Sequence, residues 1–316
     1  VKLRVWVIEV GRIKLYLLDS DLEDNNEIDR TITHQLYGGD WENRLKQEVV
    51  LGFGSIRLLN ALGIECEVYH CNEGHAAFTN LERMCNVMEK HHLSFEEALE
   101  VVRHSSLFTT HTPVPAGHDA FSEELMRMYI RHTPERLRIS WEQFMNLGRW
   151  TPDRHDEKFS MSVLAANTCQ EINGVSMLHG KVSRDMFQNL YKGYFPEELH
   201  IGHVTNGVHY ATWTAKEWRQ LYETTFGADF FKHNCDSTCW EKIHTVDNHK
   251  IWEIRQVLRT KLIDYIKDRY RNNWIKHNDN HKRLQKVLNS IDENALTIGF
   301  ARRFATYKRA NLLFND

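Results

Sequence analysis

Basic side chains are concentrated near the end of this 316-residue chain. Residues 296–300 alternate apolar with smaller side chains, which predicts a short strand. Four basic residues follow that strand: Arg302, Arg303, Lys308 and Arg309. Arg303 can place two parallel donors on phosphate oxygens, and Lys308 adds a compact positive charge. We therefore predict an anion site beyond the strand, where ligands of open α/β sheets bind. A solvated basic turn is the alternative, because charge runs usually lie on the surface.

Polar side chains follow two further predicted strands, at residues 65–70 and 106–110. Helices are predicted between them, at 74–90 and 95–104, so the four elements form an α/β unit. The polar residues at the two strand ends are Asn72, Glu73, His75, His111 and Thr112. Amides, carboxylates and imidazoles at one sheet edge suit a sugar, which is bound through many short hydrogen bonds. For each histidine, a packed structural role is the alternative.

Asn173 and Gly174 interrupt residues 159–191, a segment that otherwise predicts helix. Both residue types weaken a helix interior. A break at this point would let the Asn173 amide face a ligand. A helix end capped by Gly174 explains the same two residues equally well.

Two groups of metal-ligand residue types lack the spacing of common zinc sites. His70, Glu73 and His75 stand at a strand end, whereas His-Glu-x-x-His needs one helical face. A second group comes nearer to ligand spacing but lacks the tight repeated pair of a zinc ribbon: His233, Cys235, Cys239 and His244. We predict no metal site and interpret Cys235 and Cys239 as buried or incidental thiols.

Composition is that of an ordinary globular protein, with 41% hydrophobic and 26% charged residues. The net charge of −3 gives no electrostatic footprint for nucleic acid or an acidic membrane. No apolar run approaches the ~18 residues of a membrane span, and no secretory leader is recognisable. The six cysteines are irregularly spaced, which favours reduced thiols and a cytoplasmic location.

Hydrophobic periodicity places the remaining elements. A hairpin is predicted at residues 3–18, turning at Gly11, followed by a polar loop to residue 29. Further helices are predicted at 41–62, 121–131, 141–147, 213–226, 246–276 and 284–291. Another strand is predicted at 200–206, and a Thr212 or Thr214 hydroxyl is expected to begin the helix after it. Strands alternate with helices, so the predicted fold class is α/β.

Several sequence blocks resemble, in the same order, those of the α-glucan phosphorylases, the glycogen, starch and maltodextrin phosphorylases. Residues 302–309 resemble that family's phosphate-binding motif, an Arg, three variable residues and then Tyr-Lys-Arg. The other blocks are Glu42-Asn-Arg-Leu-Lys-Gln-Glu48, His70-Cys-Asn-Glu-Gly-His75, Thr109-Thr-His-Thr-Pro-Val-Pro115, Glu171-Ile-Asn-Gly-Val-Ser-Met-Leu-His179 and Val204-Thr-Asn-Gly-Val208. The sequences Asn-Glu-Gly-His and Thr-Pro-Val-Pro-Ala-Gly-His resemble the shorter bacterial and archaeal branch of the family more than the animal or plant enzymes. The resemblance extends from about residue 36 onward.

The resemblance implies the Rossmann-like domain of a two-domain B-type glycosyltransferase (GT-B) fold. Residues 1–295 would form most of the N-terminal domain that binds glucose and glucan, incomplete at its start. Residues 296–316 would be the first strand and turn of the C-terminal phosphate and cofactor domain. The chain would then be a fragment without the pyridoxal-binding lysine and the N-terminal Gly-rich loop, and inactive by itself.

The implied activity is phosphorolysis of α-1,4-glucan from its non-reducing end, which yields α-glucose 1-phosphate with retention. Inorganic phosphate is the second substrate, and pyridoxal 5′-phosphate would serve the full-length protein as cofactor. The resemblance assigns Arg303 and Lys308 to the phosphate as catalytic residues. It assigns His111, Asn173 and Tyr307 to the transferred glucose, and Glu73 and His75 to the wall of the acceptor side. A homodimer is a family expectation.

Two other functions stay open from the sequence. One is a nucleotide-sugar-dependent glucosyltransferase similar to glycogen or starch synthase, against which the Tyr-Lys-Arg ending and the Asn-Glu-Gly-His block argue. The other is a glucan-binding module without activity, which the isolated fragment could be in practice.

Overall fold

The computed structural model describes residues 1–36, 38–114, 117–277, 280–302 and 308–314, and the side chains of 275–277 are not among them. The chain divides into two compact units, Val1–Gly207 and Val208–Asp316. The predicted domain boundary at residue 295 is a different division, and it stays a prediction. The first unit is a mixed α/β structure with a parallel sheet, which confirms the predicted fold class.

The first unit begins with the predicted hairpin, formed by antiparallel strands β1 (Arg4–Val10) and β2 (Ile13–Asp19). Gly11 takes φ 59° at the turn, in the left-handed region that glycine enters without steric cost. A short helix α1 (Glu27–Arg30) forms inside the segment predicted as a loop, because the Asn26 side chain caps it by accepting from the Asp29 N–H. Helix α2 (Trp41–Ala61) confirms the amphipathic prediction.

Six strands follow in the first unit: β3 (Tyr69–Asn72), β4 (Ser106–Thr109), β5 (Ala120–Phe121), β6 (Phe159–Ser160), β7 (Glu171–Gly174) and β8 (Ile201–His203). Strands β3, β4, β7 and β8 form one parallel sheet in that order, while β5 and β6 pair antiparallel elsewhere. The helices between them are α3 (Phe78–His91), α4 (Phe95–His104), α5 (Glu123–Ile130), α6 (Thr133–Arg136), α7 (Trp141–Asn146), α8 (Met161–Thr168) and α9 (Met177–Phe187). A 3-10 turn, Gly74–Ala76, separates β3 from α3.

The core of the first unit is one apolar row across the parallel sheet. Cys71, Phe108, Ile172 and Ile201 stand in register on the four strands, and each is at most 2% exposed. Helices α2 and α3 pack closely beside this core, since a Cβ added at Gly52 would lie 2.4 Å from the Cβ of Phe78. Burial of this row fixes the register, and a slip of one residue would turn it to the other face.

The helix prediction for residues 159–191 is wrong in its centre. Residues Glu171–Gly174 form strand β7, whose pairing with β4 and β8 overrides local helix propensity. Gly174 therefore ends a strand and does not cap a helix. Its missing side chain lets α9 approach, because a Cβ at Gly174 would lie 2.7 Å from the backbone nitrogen of Gly180.

The second unit is helical in its described part, with α10 (Tyr210–Trp213), α11 (Lys216–Phe226), α12 (Ser237–Trp240), α13 (Asn248–His277) and α14 (His281–Ser290). Its aromatic cluster is built from Tyr210, Tyr222, Phe226, Phe230 and Trp240. The cap prediction for α11 is wrong, since Ala215 precedes the helix and contributes no side-chain cap. Across the described residues, every helix is too short or too polar to cross a bilayer.

The strand predicted at residues 296–300 does not form in the structure. Leu296 is 86% exposed and Ile298 is 72% exposed, so the alternating apolar residues find no partner strand and no core. Alternation predicts a strand only when a neighbouring strand pairs with it.

Candidate active site at the carboxyl ends of the parallel strands

A polar row immediately follows the apolar row of the sheet. Asn72, Thr109, Asn173 and Gly202 stand in register on the four parallel strands, one residue beyond the buried row. Because successive side chains of a strand point to opposite faces, this row lies on the other face from the core row. The carboxyl end of a parallel sheet is the usual place for a ligand. The structure thus brings Asn72 and Asn173, predicted from separate blocks, to one edge.

Glu73 adopts a strained backbone directly after β3. Its φ of 65° and ψ of 175° fall in a region that is populated almost only by glycine. A backbone hydrogen bond and burial hold it there: its own N–H donates to the Thr109 carbonyl oxygen at 2.9 Å, and the residue is 8% exposed. Such strain persists only where the surroundings impose it, and it is concentrated at functional sites.

The Glu73 carboxylate organises the loop that carries His111. Its Oε1 accepts from the backbone N–H of His111 at 2.6 Å and from the Thr112 hydroxyl at 3.0 Å. The His111 ring is exposed, and its Nε2 donates to Asn72 Oδ1 at 2.7 Å. Glu73 therefore orients His111 through the main chain, and Asn72 orients the ring.

Asn173 is held by a chain of neutral hydrogen bonds. The Thr109 hydroxyl donates to Asn173 Oδ1 at 2.8 Å, and the Asn173 Nδ2 donates to the Gly174 carbonyl oxygen at 3.2 Å. His70 Nε2 lies 2.7 Å from the same hydroxyl. Because that hydroxyl already donates its hydrogen to Asn173, the His70 ring is the donor in this second hydrogen bond. The amide orientation is thereby fixed, and the second Nδ2 hydrogen is available for a hydroxyl ligand.

Two buried histidines beside this edge were missed by sequence reasoning. His118 is 8% exposed, its Nδ1 lies 2.6 Å from the Ser162 hydroxyl, and burial lowers the pKa of its ring despite the nearby charges of Glu73 and Asp119. His179 is 9% exposed, and its Nδ1 accepts from the Val175 N–H at 3.2 Å. Both residues occur in the quoted sequence blocks, Thr-Pro-Val-Pro-Ala-Gly-His and the block ending at His179, which was the available signal.

His75 belongs to a second, charged group in the same unit. Arg44 Nη2 lies 2.8 Å from His75 Nδ1 and 2.7 Å from Asp119 Oδ2. Asp119 Oδ2 is also 3.1 Å from His75 Nδ1, while Glu48 Oε1 is 3.3 Å from Arg44 Nε and 4.0 Å from His75 Nδ1. We call these four residues the His75 cluster. Sequence reasoning gave Arg44 and Glu48 no role and missed Asp119.

Burial and charge shift the pKa values of the two carboxyl groups of the His75 cluster in opposite directions. Burial, together with the neighbouring charge of Asp119, raises the pKa of Glu48 well above its usual range. Burial acts in the same sense on Asp119, but hydrogen bonds from His75 and Arg44 outweigh it and hold the pKa of Asp119 well below its usual range. Like charges at close range drive the pKa values of such a pair apart, so Glu48 binds a proton more tightly than Asp119 does.

The ligand atoms of Glu48, His75 and Asp119 lie within 4.8 Å of one another, the one group of metal-ligand types among the described residues. The Arg44 guanidinium contacts the other three members and places a positive charge beside the two carboxyl groups. The group at His233, Cys235, Cys239 and His244 forms no such cluster in the described part of the chain, and Cys235 is exposed with Cys239 half-buried.

Of the residues predicted to bind phosphate or sugar at the end of the chain, only Lys308 is among the described residues. Arg303 and Tyr307 lie outside the described residues. Lys308 is half-buried in the second unit. Its role toward phosphate stays a prediction, as do the sugar-binding roles of His111, Asn173, Glu73 and His75.

The sequence profile of the family described as carbohydrate phosphorylase matches residues 63–280. The chain belongs to the carbohydrate phosphorylase family. Among its relatives are the glycogen phosphorylase of Mycobacterium tuberculosis, 41% identical over 99% of this chain, and the maltodextrin phosphorylase of Thermococcus litoralis, 40% identical over 99% of it. The glycogen phosphorylase of Aquifex aeolicus is 35% identical over 99% of the chain.

The chain spans only part of these phosphorylases. It covers 37% of the Mycobacterium tuberculosis protein, 36% of the Thermococcus litoralis protein and 44% of the Aquifex aeolicus protein. The family prediction made from the sequence blocks is confirmed. The strand-end residues Asn72, Glu73, His111 and Asn173 all fall within the matched segment.

Proposed function

We propose that a full-length protein carrying this sequence phosphorolyses α-1,4-glucan from the non-reducing end with inorganic phosphate and releases α-glucose 1-phosphate with retention. The observation that carries the proposal is the hydrogen-bonded edge formed by Asn72, His111 and Asn173, within a chain of the carbohydrate phosphorylase family. Neutral amides and an imidazole held in fixed orientations suit the hydroxyls of a pyranose ring.

The roles we assign follow from this edge. His111 and Asn173 orient the glucosyl unit that is transferred, and the Glu73 carboxylate keeps the His111 loop in place by accepting from its N–H. Such preorganisation lowers the entropic cost of bringing sugar and phosphate together. Arg303 and Lys308 neutralise the phosphate, Tyr307 contacts the sugar, and Glu73 and His75 belong to the acceptor side. We further expect a cytoplasmic homodimer of GT-B fold.

Pyridoxal 5′-phosphate is the cofactor expected for the family, but the residues present do not fit its covalent attachment. A Schiff-base lysine is usually buried with a lowered pKa. None of the described lysines is buried. Burial acts to lower the pKa of Lys46, yet hydrogen bonds to Glu42 and Tyr129 outweigh it and raise that pKa. The roles proposed for the described residues therefore include no step through the cofactor.

The direct test is an assay of the full-length protein with maltodextrin. We expect glucose 1-phosphate to appear with inorganic phosphate alone. Incorporation of glucose from a nucleotide sugar, without phosphorolysis, would support a synthase-like glucosyltransferase. Maltooligosaccharide binding with neither reaction would support a glucan-binding module.

The phosphate role of Lys308 is tested separately. We predict that Lys308→Ala in the full-length protein raises KM for phosphate about 10- to 100-fold, because a hydrogen bond to a charged group contributes about 1.5–3 kcal/mol. Glucan affinity should hardly change. Lys286→Ala, at an exposed position of α14, is the matched control. An unchanged KM for phosphate would remove Lys308 from the site.

A further inference from the structure

The contacts of the His75 ring are not explained by its predicted place in the acceptor wall. Both Arg44 and Asp119 contact one ring nitrogen, Nδ1, at 2.8 and 3.1 Å. The side chain keeps 28% of its surface exposed, and it lines a cavity of about 540 Å³ together with Trp6, Tyr16 and Gln47. The ring is thus contacted at Nδ1 and lines this cavity, as Arg44 and Glu48 also do.

We propose that Arg44 and Asp119 are positioning residues that hold the His75 ring in one orientation toward the acceptor part of the glucan. This inference deepens the proposed function and rests on it. Neither residue needs to touch the sugar, because each acts through the imidazole. Glu48 completes the cluster behind Arg44, with its side chain 1% exposed.

The residues of the His75 cluster come from three places in the first unit. Arg44 and Glu48 are separated by one turn of α2, His75 stands in the 3-10 turn after β3, and Asp119 immediately precedes β5. The Asp119 carbonyl oxygen accepts from the Met161 N–H at 3.0 Å, which ties Asp119 to the first residue of α8.

The turn that carries His75 packs on the same end of α8. A Cβ added at Gly74 would lie 2.9 Å from the Met161 carbonyl carbon and from the Ser162 nitrogen. The loop of Asp119 and the turn of His75 therefore share one rigid support. Arg44 places two donors, Nε and Nη2, on the same Asp119 oxygen at 3.1 and 2.7 Å, a planar two-donor contact that a lysine in place of Arg44 would not supply.

A double-mutant cycle in the full-length protein tests the proposal. Asp119→Asn keeps the shape of the side chain and removes its charge. We expect it to raise KM for maltooligosaccharide about tenfold while kcat changes less than about threefold, as for an interaction that acts on binding. In a His75→Ala background the same substitution should change KM less than about twofold, because residues that act through one another are not additive.

Arg44→Lys is the second variant, and a double-mutant cycle with it can replace the first one if Asp119→Asn does not fold. It should raise the same KM and lose its effect in the His75→Ala background. Asp156→Asn and Arg154→Lys repeat both substitutions at an exposed ion pair and serve as matched controls. An equal rise in KM with and without the His75 ring would overturn the proposal, as would an unchanged KM in both variants.

The cycle is also measured as the Kd of maltopentaose by calorimetry, without phosphate. A protein that binds maltopentaose without phosphorolysis would refute the proposed function, while the cycle on Kd would still decide the positioning role. A loss of thermal stability with unchanged Kd would make Arg44 and Asp119 structural residues and would overturn the inference.

Discussion

At the carboxyl ends of β3 and β4, Glu73 holds the His111 loop through one backbone N–H and one hydroxyl. The His75 cluster instead brings a guanidinium from α2 and a carboxylate from the residue before β5 to one imidazole nitrogen, with the Glu48 carboxyl group next to the guanidinium. The first arrangement depends on main-chain geometry, and the second depends on charge. Both lie in the first unit and both present a partly or fully exposed histidine ring.

The difference predicts different sensitivities. A site held by the main chain fails when its anchor is removed, because the orphaned N–H cannot find another partner in a buried position. A site held by charge responds first to pH and to changes of net charge. Three substitutions separate these behaviours.

Glu73→Ala is expected to have the largest effect. It removes the acceptor of the His111 N–H and the Thr112 hydroxyl, both partly buried, and a donor left unsatisfied costs about 1–3 kcal/mol, or up to about 100-fold in kcat/KM. Steady-state phosphorolysis by the full-length protein measures the loss, with the exposed Glu197→Gln as control. Glu73→Gln should retain more activity than Glu73→Ala, because its amide oxygen still accepts. Equal activity of the alanine variant and the parent would remove Glu73 from the site.

The pH dependence of stability sharpens the other side of the comparison. The raised pKa of Glu48 means that the folded state holds a proton that the unfolded state has released above about pH 4.3. The parent protein therefore loses stability as pH rises from there to the folded-state pKa, by at most about 1.4 kcal/mol per pH unit. Glu48→Gln mimics the neutral form of the side chain. Its stability relative to the parent should therefore increase as pH rises, and Tm measured between pH 4.5 and 8 would show this.

Glu42, on the same helix α2, provides a control of opposite sign. Hydrogen bonds from Tyr129 and Lys46 lower its pKa, so its contribution to stability is present at neutral pH and is lost as pH falls through the folded-state pKa. Glu42→Gln should accordingly be less stable than the parent at pH 7, with the gap closing in acid. The same direction for both variants would contradict the assignment of the proton to Glu48.

The strand-end residues could be predicted from the sequence, because each follows a short apolar run. Asn72 is the last residue of β3 and His111 stands two residues beyond the end of β4, and strand ends in a parallel sheet share one edge. Asn173 was chosen for the resemblance and as a break in a helix, whereas the structure makes it the third residue of a strand. Residues Glu171–Gly174 are too short and too polar to signal a strand, and only pairing with β4 and β8 defines one.

The His75 cluster could not be predicted in the same way. Its members are separated by up to 75 positions along the chain, the distance from Arg44 to Asp119. Arg44 and Glu48 have the spacing of an ordinary surface ion pair on a helix. Their burial follows from the way α2 packs, which no local pattern states. The strand expected at residues 296–300 failed for the converse reason, since a local pattern was present and its partner was not.

The smallest expected effect belongs to Thr109→Val, which tests the neutral hydrogen bonds that link His70, Thr109 and Asn173. The hydroxyl links His70 to Asn173, so its loss frees the Asn173 amide to rotate. One neutral hydrogen bond contributes about 1 kcal/mol, which is about a fivefold rise in KM for maltooligosaccharide. Thr110→Val is the matched control, because the Thr110 hydroxyl is buried without a hydrogen-bond partner among the described residues. The control should be as stable as the parent or more so, since valine removes a buried polar atom. Equal KM values for the two variants would show that Asn173 keeps its orientation without Thr109, and the main-chain site would then depend on Glu73 alone.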